Sequence, residues 1–569
     1  MRARRRVAFT VALVAALAVS VNGCGGGGSG SGGSGGSSSS NNATTAQSQS
    51  ATAAKGAVSL RSEGTKPQHG GSIVYGVEAE TAGGYCLPQA ELAISGIMVT
   101  DAIYDTLTVP NAAGTDYVPY LVKSVTPNAT YDSWTITLRP GIKFQNGEAL
   151  DADALKLNLD SFRGKNPHLA PRLFAFVFQD IKDVTVTDPL SVVVTTTRPW
   201  PSFPSQLYST GRLGIAAPAQ LNNGDTCPTN MIGTGPFKLD HWTPNQELVV
   251  TRNPNYWRNG LPYLDKITFR VVAESAQRTI GLQSGQLDII HSSTGVDITQ
   301  LRKLADQGKI NMTLAFQAAE VGFGMLNTKK APFDDINGRK AIAYGTNREE
   351  IKTLHNLDVF PVANGPFAPD QLGYLKDPGY PKYSLKKAKE YKKKYEDAHG
   401  GKFPTLTILS WNEPDTVKLA EQTKEQMRKV GINVEIEEAD QATLITRGLG
   451  GDFQNLFFRN YPGGDPDGNY VWWHSGSPVN FGRFSDPVID KLLEQGRVTA
   501  DRAKRAQIYQ AINREFAKQV WAAWTFLQGW AIAAQTNVHG ACGPALPDGG
   551  KPRCILAGIH ETVGLWVSK

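Results

Sequence analysis

The sequence predicts a multi-domain α/β fold, with α+β left open by pattern alone. Short alternating strands fill the first half of the folded body, and amphipathic helices with clear start and stop signals fill the second. No repeat of about 20–50 residues marks a solenoid or propeller. The body runs from about residue 70 to 569, too long for a single hydrophobic core.

Ahead of the body stands an export leader. Arg2, Arg4, Arg5 and Arg6 precede a mostly apolar run over 7–21, which is too short for a membrane span of about 20 residues. Val21, Asn22, Gly23 and Cys24 then resemble the lipobox of bacterial lipoproteins, so 1–23 is expected to be removed and Cys24 to carry the lipid anchor. Asn22 departs from the usual small residue, and plain secretion with Cys24 left as a thiol is the competing reading. A single acyl chain binds a bilayer marginally, whereas the two chains of a diacylglyceryl thioether hold it stably. The Gly/Ser-rich linker within 24–69 has almost nothing to bury, and as a flexible coil it sets the body roughly 30–40 Å from the membrane. Gly32, Ser34 and Gly36 match a nucleophile elbow only formally, since no strand precedes them and no helix follows.

In the body, 72–77 reads as the first strand, and strict alternation over 134–139 places Trp134, Ile136 and Leu138 on one buried face before Pro140 and Gly141 end the run. Residues 183–186 and 191–196 read as a hairpin turning through Asp188 and Pro189, and 247–251 and 266–272 add strands. Asp415 is expected to cap a helix reaching Val430, with Ala420, Thr423, Met427 and Val430 on one side and Gly431 as its stop, followed by a strand over 432–437. Asp486 and Pro487 open another helix, and 501–518 forms a third.

Charge and cysteines narrow the function classes. The net charge of +6 falls to +2 without the four leader arginines, and the remaining basic residues sit in mixed-sign stretches such as 386–390, so nucleic acid is not an expected partner. Four cysteines remain after Cys24, an even number that favours disulfides in an exported chain. Cys542 and Cys554 frame a Gly- and Pro-rich loop and are expected to pair, leaving Cys86 with Cys227. Their spacing does not suit zinc, and no metal site, catalytic residue or cofactor is expected.

Several phrases in order along the chain then point to one family. Residues 70–75 resemble its opening strand and 134–148 its most recognisable strand and turn. Gly233 to Lys238, Arg252 to Trp257, Ser284 to Ile289, Leu326 with Asn327, Arg339 to Ala343 and Asp490 to Leu493 follow in sequence. Together they resemble the extracellular solute-binding proteins of family 5, the dipeptide- and oligopeptide-binding group of ABC importers. Most of these phrases also have structural readings: Gly233 and Gly235 permit close backbone near a domain crossover, and Tyr256 with Trp257 forms an aromatic anchor.

The resemblance implies a periplasmic-binding-protein-like fold (class II, cluster C type), two lobes joined by a hinge with an extra inserted domain. Lobe 1 would comprise 70–107, 232–317 and 535–569, the insertion 108–231, and lobe 2 318–534. It implies a solute captured between the lobes, with a peptide as the family default, ABC permease subunits as partners, and a monomer at the outer face of the cytoplasmic membrane or in the periplasmic space. The family's ammonium-pairing Asp falls on Asn460 or Pro462, neither of which is charged, so a blocked or non-peptide solute such as a sugar or metal chelate stands beside the peptide. Trp411, at a strand end, and Tyr461, in the adjacent loop, are the chosen aromatic contacts. Asn460, Asp465 and Asp467 complete the candidate ligand set, although capping the segment before Trp473 explains the two aspartates equally well. A sensor role is compatible with the same fold, whereas a hydrolase lacks any nucleophile or metal motif.

Overall fold

The computed structural model describes Leu60 and residues 66–569, apart from 82, 91, 172, 461 and 462. The leader, Cys24, most of the linker and Tyr461 lie outside the described residues.

Ten strands form one mixed sheet. Its order is Val434–Ala439, Leu406–Trp411, Asn455–Asn460, Ile310–Leu326, Ala522–Gln535, Ile289–Ser292, Ser72–Val77, Lys266–Val271, Glu247–Arg252 and Phe237–Thr243. Toward one end Ser72–Val77 runs parallel to Lys266–Val271 and Ile289–Ser292. Toward the other, Leu406–Trp411 runs parallel to Val434–Ala439 and Asn455–Asn460. The two halves share Ile310–Leu326 and Ala522–Gln535, which pair antiparallel from Ile310 with Gln535 to Ala315 with Trp530, then resume at Glu320 with Gln528. Such a slip in register bends and twists a ribbon locally. Ala522–Gln535 is buried along nearly its whole length, so it reads as an apolar run without alternation.

A separate antiparallel sheet, ordered Val122–Pro127, Ser133–Leu138, Ser191–Thr196 and Ile181–Asp188, falls between the first two strands of the large sheet in sequence. Trp134, Ile136 and Leu138 face its core. Its hairpin closes with the Asp188 carboxylate accepting from the Leu190 N–H at 2.9 Å, the side-chain turn that Asp favours. A Cβ on Gly233 would stand 2.1 Å from the Ile103 carbonyl oxygen, and one on Gly235 2.4 Å from the Ile103 carbonyl carbon, so both positions need glycine for the backbones to touch. Tyr256 and Trp257 donate to Asp105 at 3.1 and 2.8 Å and anchor the turn after Asn253. Disulfides join Cys86 to Cys227 and Cys542 to Cys554.

The helix expected to be capped by Asp415 starts two positions earlier, as Pro414–Val430. Glu413 rather than Asp415 caps it, accepting from the Asp415 and Thr416 N–H groups at 3.0 and 3.1 Å, and Pro414 fills the first position, where a missing N–H costs nothing. At its other end Gly431 adopts φ 85° while the Ile432 N–H bonds the Met427 carbonyl, a closing pattern that consumes Ile432 and delays the next strand to Val434–Ala439. Helices Pro487–Val498 and Arg502–Gln519 carry Asp486 and Asp501 as caps. Among the described residues no helix is long and apolar enough to cross a membrane.

Candidate functional site

The parallel strands of both halves end at one cavity. Glu78 and Glu80 follow Ser72–Val77, Ser293 and Thr294 follow Ile289–Ser292, Glu413 and Asp415 follow Leu406–Trp411, and Asn460 ends its own strand; all line the cavity. Crevices beyond the carboxyl ends of strands are where α/β sheets receive ligands. The two shared strands complete the wall with Glu320, Gly322, Thr525 and Gln528. The cavity measures about 210 Å³, far above the roughly 10–15 Å³ that admits one water.

Arg459 organises one pole. Its guanidinium donates to Ser293 Oγ at 2.7 Å, pairs with Glu78, and lies 3.7 Å from Glu320, so one cation serves two carboxylates. It also sits 4.8 Å from the Trp530 ring centre and 5.8 Å from that of Trp411, a cation–π arrangement. Burial works against the Glu78 charge, but Arg459 foremost among its neighbours holds the carboxyl below its ordinary value. Glu320 receives the Trp530 indole N–H at 2.9 Å, yet burial outweighs Arg459 and pushes its carboxyl up.

The other pole lies at the start of the Pro414–Val430 helix. His355 ends a single π-type turn, Ile351–His355, a local irregularity that recurs at functional sites. Its Nε2 is 3.4 Å from Asp415 Oδ2. Burial lowers the His355 pKa to about 4 and raises that of Asp415 to about 6, so the imidazole is neutral where the carboxylate is charged. Much of the remaining wall is apolar and aromatic, with Phe323, Leu444, Ile445, Phe458, Trp472 and Phe481.

Of the residues singled out in the sequence, Trp411 and Asn460 line this cavity. Asp465 lies in a smaller neighbouring cavity, caps the turn Pro466–Asn469, and binds Arg505 through both carboxylate oxygens at 2.6 and 2.9 Å. Asp467 has a fully buried side chain, which accepts from Trp200 Nε1 at 2.7 Å, Ser202 Oγ at 3.0 Å and Arg497 Nε at 3.0 Å. Arg497 continues to Asp180 at 2.9 Å and lies 3.7 Å from the Tyr470 ring centre. This cluster fastens the four-stranded unit to the helix Pro487–Val498. Sequence reasoning missed Glu78, Glu320, His355 and the cavity role of Asp415. For Glu78 the available signal was a charged residue just past an apolar strand's end; Glu320 lies inside its strand and His355 in a turn, where that signal is lacking.

A family model for bacterial extracellular solute-binding proteins, family 5, covering their middle portion, matches residues 116–482. The chain belongs to this family. Among curated relatives, the glutathione-binding protein GsiB of Pectobacterium atrosepticum is 26% identical over 409 residues, covering 69% of this chain and 77% of the relative. The nickel-binding periplasmic protein of Escherichia coli is 27% identical over 429 residues, covering 72% and 80%. Among solved structures, the Helicobacter pylori periplasmic binding protein DppA in complex with peptide STSA matches with a TM-score of 0.77 at 21% identity, over 88% of this chain and 99% of the other. Campylobacter jejuni NikZ in complex with Ni(L-His) matches with a TM-score of 0.74 at 20% identity, over 86% and 97%. The fold of this family 5 solute-binding protein is thus the two-lobed, hinged one, with the shared strands Ile310–Leu326 and Ala522–Gln535 crossing between the halves. Its relatives are binding proteins of the periplasm or cell exterior.

Proposed function

We propose that this solute-binding protein captures a peptide or peptide-like solute in the cavity and hands it to an ABC permease. It works at the outer face of the cytoplasmic membrane or in the periplasmic space, as a monomer held by a lipid on Cys24. The observation that carries this reading is the convergence of strand ends from both halves of the sheet on one cavity with polar poles and an aromatic wall. Closure around a bound solute then creates the state that a permease reads, because only contacts made in the closed form favour it. Lobe 1 comprises 70–107, 232–317 and 535–569, the insertion 108–231 and lobe 2 318–534.

Trp411 and Asn460 contact the solute, and Tyr461 is assigned the same role. Asp465 and Asp467 are assigned to holding the adjoining loop, since Arg505 and Arg497 occupy their carboxylates. A second reading, a non-peptide solute such as a metal chelate, is favoured by one observation: Asn460 and Pro462 supply no carboxylate for a peptide ammonium. Relatives include both a D,D-dipeptide-binding and a nickel-binding protein. Native mass spectrometry of the purified protein, followed by melting shifts with whatever is found bound, tests both readings. A co-purifying peptide supports the first, a chelate or sugar moves the solute class, and failure to bind any solute rejects the transport role.

A further inference from the structure

Charge around the cavity is unbalanced. Glu78, Glu80, Glu320, Glu413 and Asp415 line it against Arg212, Arg278 and Arg459. The arginines are already engaged. Arg278 donates to the carbonyls of His291, Val272 and Ala273 at 3.2, 2.7 and 2.9 Å, Arg459 serves Glu78, Ser293 and Glu320, and Arg212 donates to the Leu92 carbonyl at 3.0 Å and to Thr210. Each arginine thus already serves acceptors of the protein itself.

The carboxylates are engaged unequally. Glu80 receives Trp242 Nε1 at 2.9 Å, the Asn245 N–H at 3.2 Å, the Thr81 N–H at 2.8 Å and Tyr85 Oη at 3.1 Å, and Glu413 caps its helix. Asp415 has as its neighbour within ion-pair distance the His355 ring, at 3.4 Å. That ring is itself only 5% exposed, lines the cavity, and makes no hydrogen bond among the described residues. The His355 imidazole, 5% exposed, and the Asp415 carboxylate, 19% exposed, both line the cavity without a hydrogen bond among the described residues, so a charged donor from a solute finds an open acceptor there.

Resting on the solute-binding role proposed above, we infer that the solute is an amphipathic cation. Its apolar or aromatic body lies against Phe323, Phe458, Trp472 and Phe481, and its amine or guanidinium is received by Asp415 beside His355. Glu320, which shares Arg459 with Glu78, adds negative potential to the same cavity and so favours the same sign of solute.

The test uses the full exported chain, stripped of bound solute, and three matched probes in calorimetry: N-acetyl-Phe-Arg-amide, N-acetyl-Phe-Gln-amide and N-acetyl-Phe-Glu-amide. Blocking the amino terminus leaves the side chain as the sole charge. The arginine probe is expected to bind at least tenfold more tightly than the glutamine probe, and the glutamate probe more weakly than both. Asp415→Asn should erase the preference for the arginine probe over the glutamine probe, and Asp415→Glu should restore part of it, with circular dichroism checking that each variant folds. Equal or tighter binding of the neutral or acidic probe, or a preference that survives in Asp415→Asn, overturns the inference and leaves the solute-binding role standing. If none of the probes binds, the co-purifying solute decides: a cationic one supports the inference and a neutral or anionic one overturns it. No bound solute in either experiment rejects the binding role itself.

Discussion

Replacing Asp415 by Asn should stabilise the solute-free protein at the same time as it weakens cation capture. Burial lifts the Asp415 pKa from 3.8 to about 6, against a smaller pull from Lys418. The folded-state value therefore lies above the unfolded one, and folding disfavours the charged form. The penalty is absent below pH 3.8, grows between there and pH 6, and is complete above pH 6. Roughly two units at about 1.4 kcal/mol each give a penalty of about 3 kcal/mol. Its position in the first helical turn offsets about 0.3–1 kcal/mol through the helix dipole, which Asn would forgo. The net expected gain for Asp415→Asn is thus about 2 kcal/mol at pH 8, shrinking toward zero near pH 4. His355, lowered to about 4 by burial, works the other way: its neutral form is favoured, so stability is lost as pH falls from 6.5 through 4. That loss is common to both proteins and largely cancels in their difference. Hydrogen exchange along the Pro414–Val430 helix, with urea unfolding at pH 8 and pH 4, measures the effect. A variant no more stable than the parent at pH 8 would refute the argument that this carboxylate is held charged at a cost.

Other substitutions probe the frame. Cys86→Ser opens a link spanning 141 residues and Cys542→Ser one spanning 12, so chain entropy predicts losses of about 5 and about 3 kcal/mol, with the order checked by denaturant unfolding under non-reducing conditions. Arg497→Met leaves Asp467 buried without its cation, while Asp180 keeps Arg198, and should cost about 3–5 kcal/mol in the same assay; a neutral result would mean that the cluster opens to water. Gly233→Ala forces a methyl onto the Ile103 carbonyl and is expected to lower stability by about 1–3 kcal/mol, read as a melting shift, while unchanged melting would show that this approach yields easily.

What could be read from the sequence follows a physical line. Trp134, Ile136 and Leu138 declared their strand because one face is wet and the other dry, and Gly431, Asp486 and Asp501 declared helix ends because few residues serve those positions. Ile310–Leu326 and Ala522–Gln535 were not assigned as strands in the sequence, because a strand buried along most of its length loses the alternation that would reveal it. Glu413 escaped notice as a cap since Asp415, two residues on, is the more usual choice. Of the cavity wall, Trp411 was singled out from its place at a strand end and Asn460 from the resemblance alone. Glu78, Glu320 and Arg459 lie far apart in sequence, and a lone charge after an apolar run looks the same whether it meets water or another lobe.

The two shared strands carry a mechanical consequence. Gly322, Gly324, Thr525 and Gln528 belong to the cavity wall and, equally, to the ribbon that joins the halves across the slip between Ala315 and Glu320. If the halves swing about this ribbon, cargo leaning on the wall loads it directly, with no relay of side chains in between. Grip and swing are then one degree of freedom, so substitutions in this ribbon should shift affinity and closure in fixed proportion.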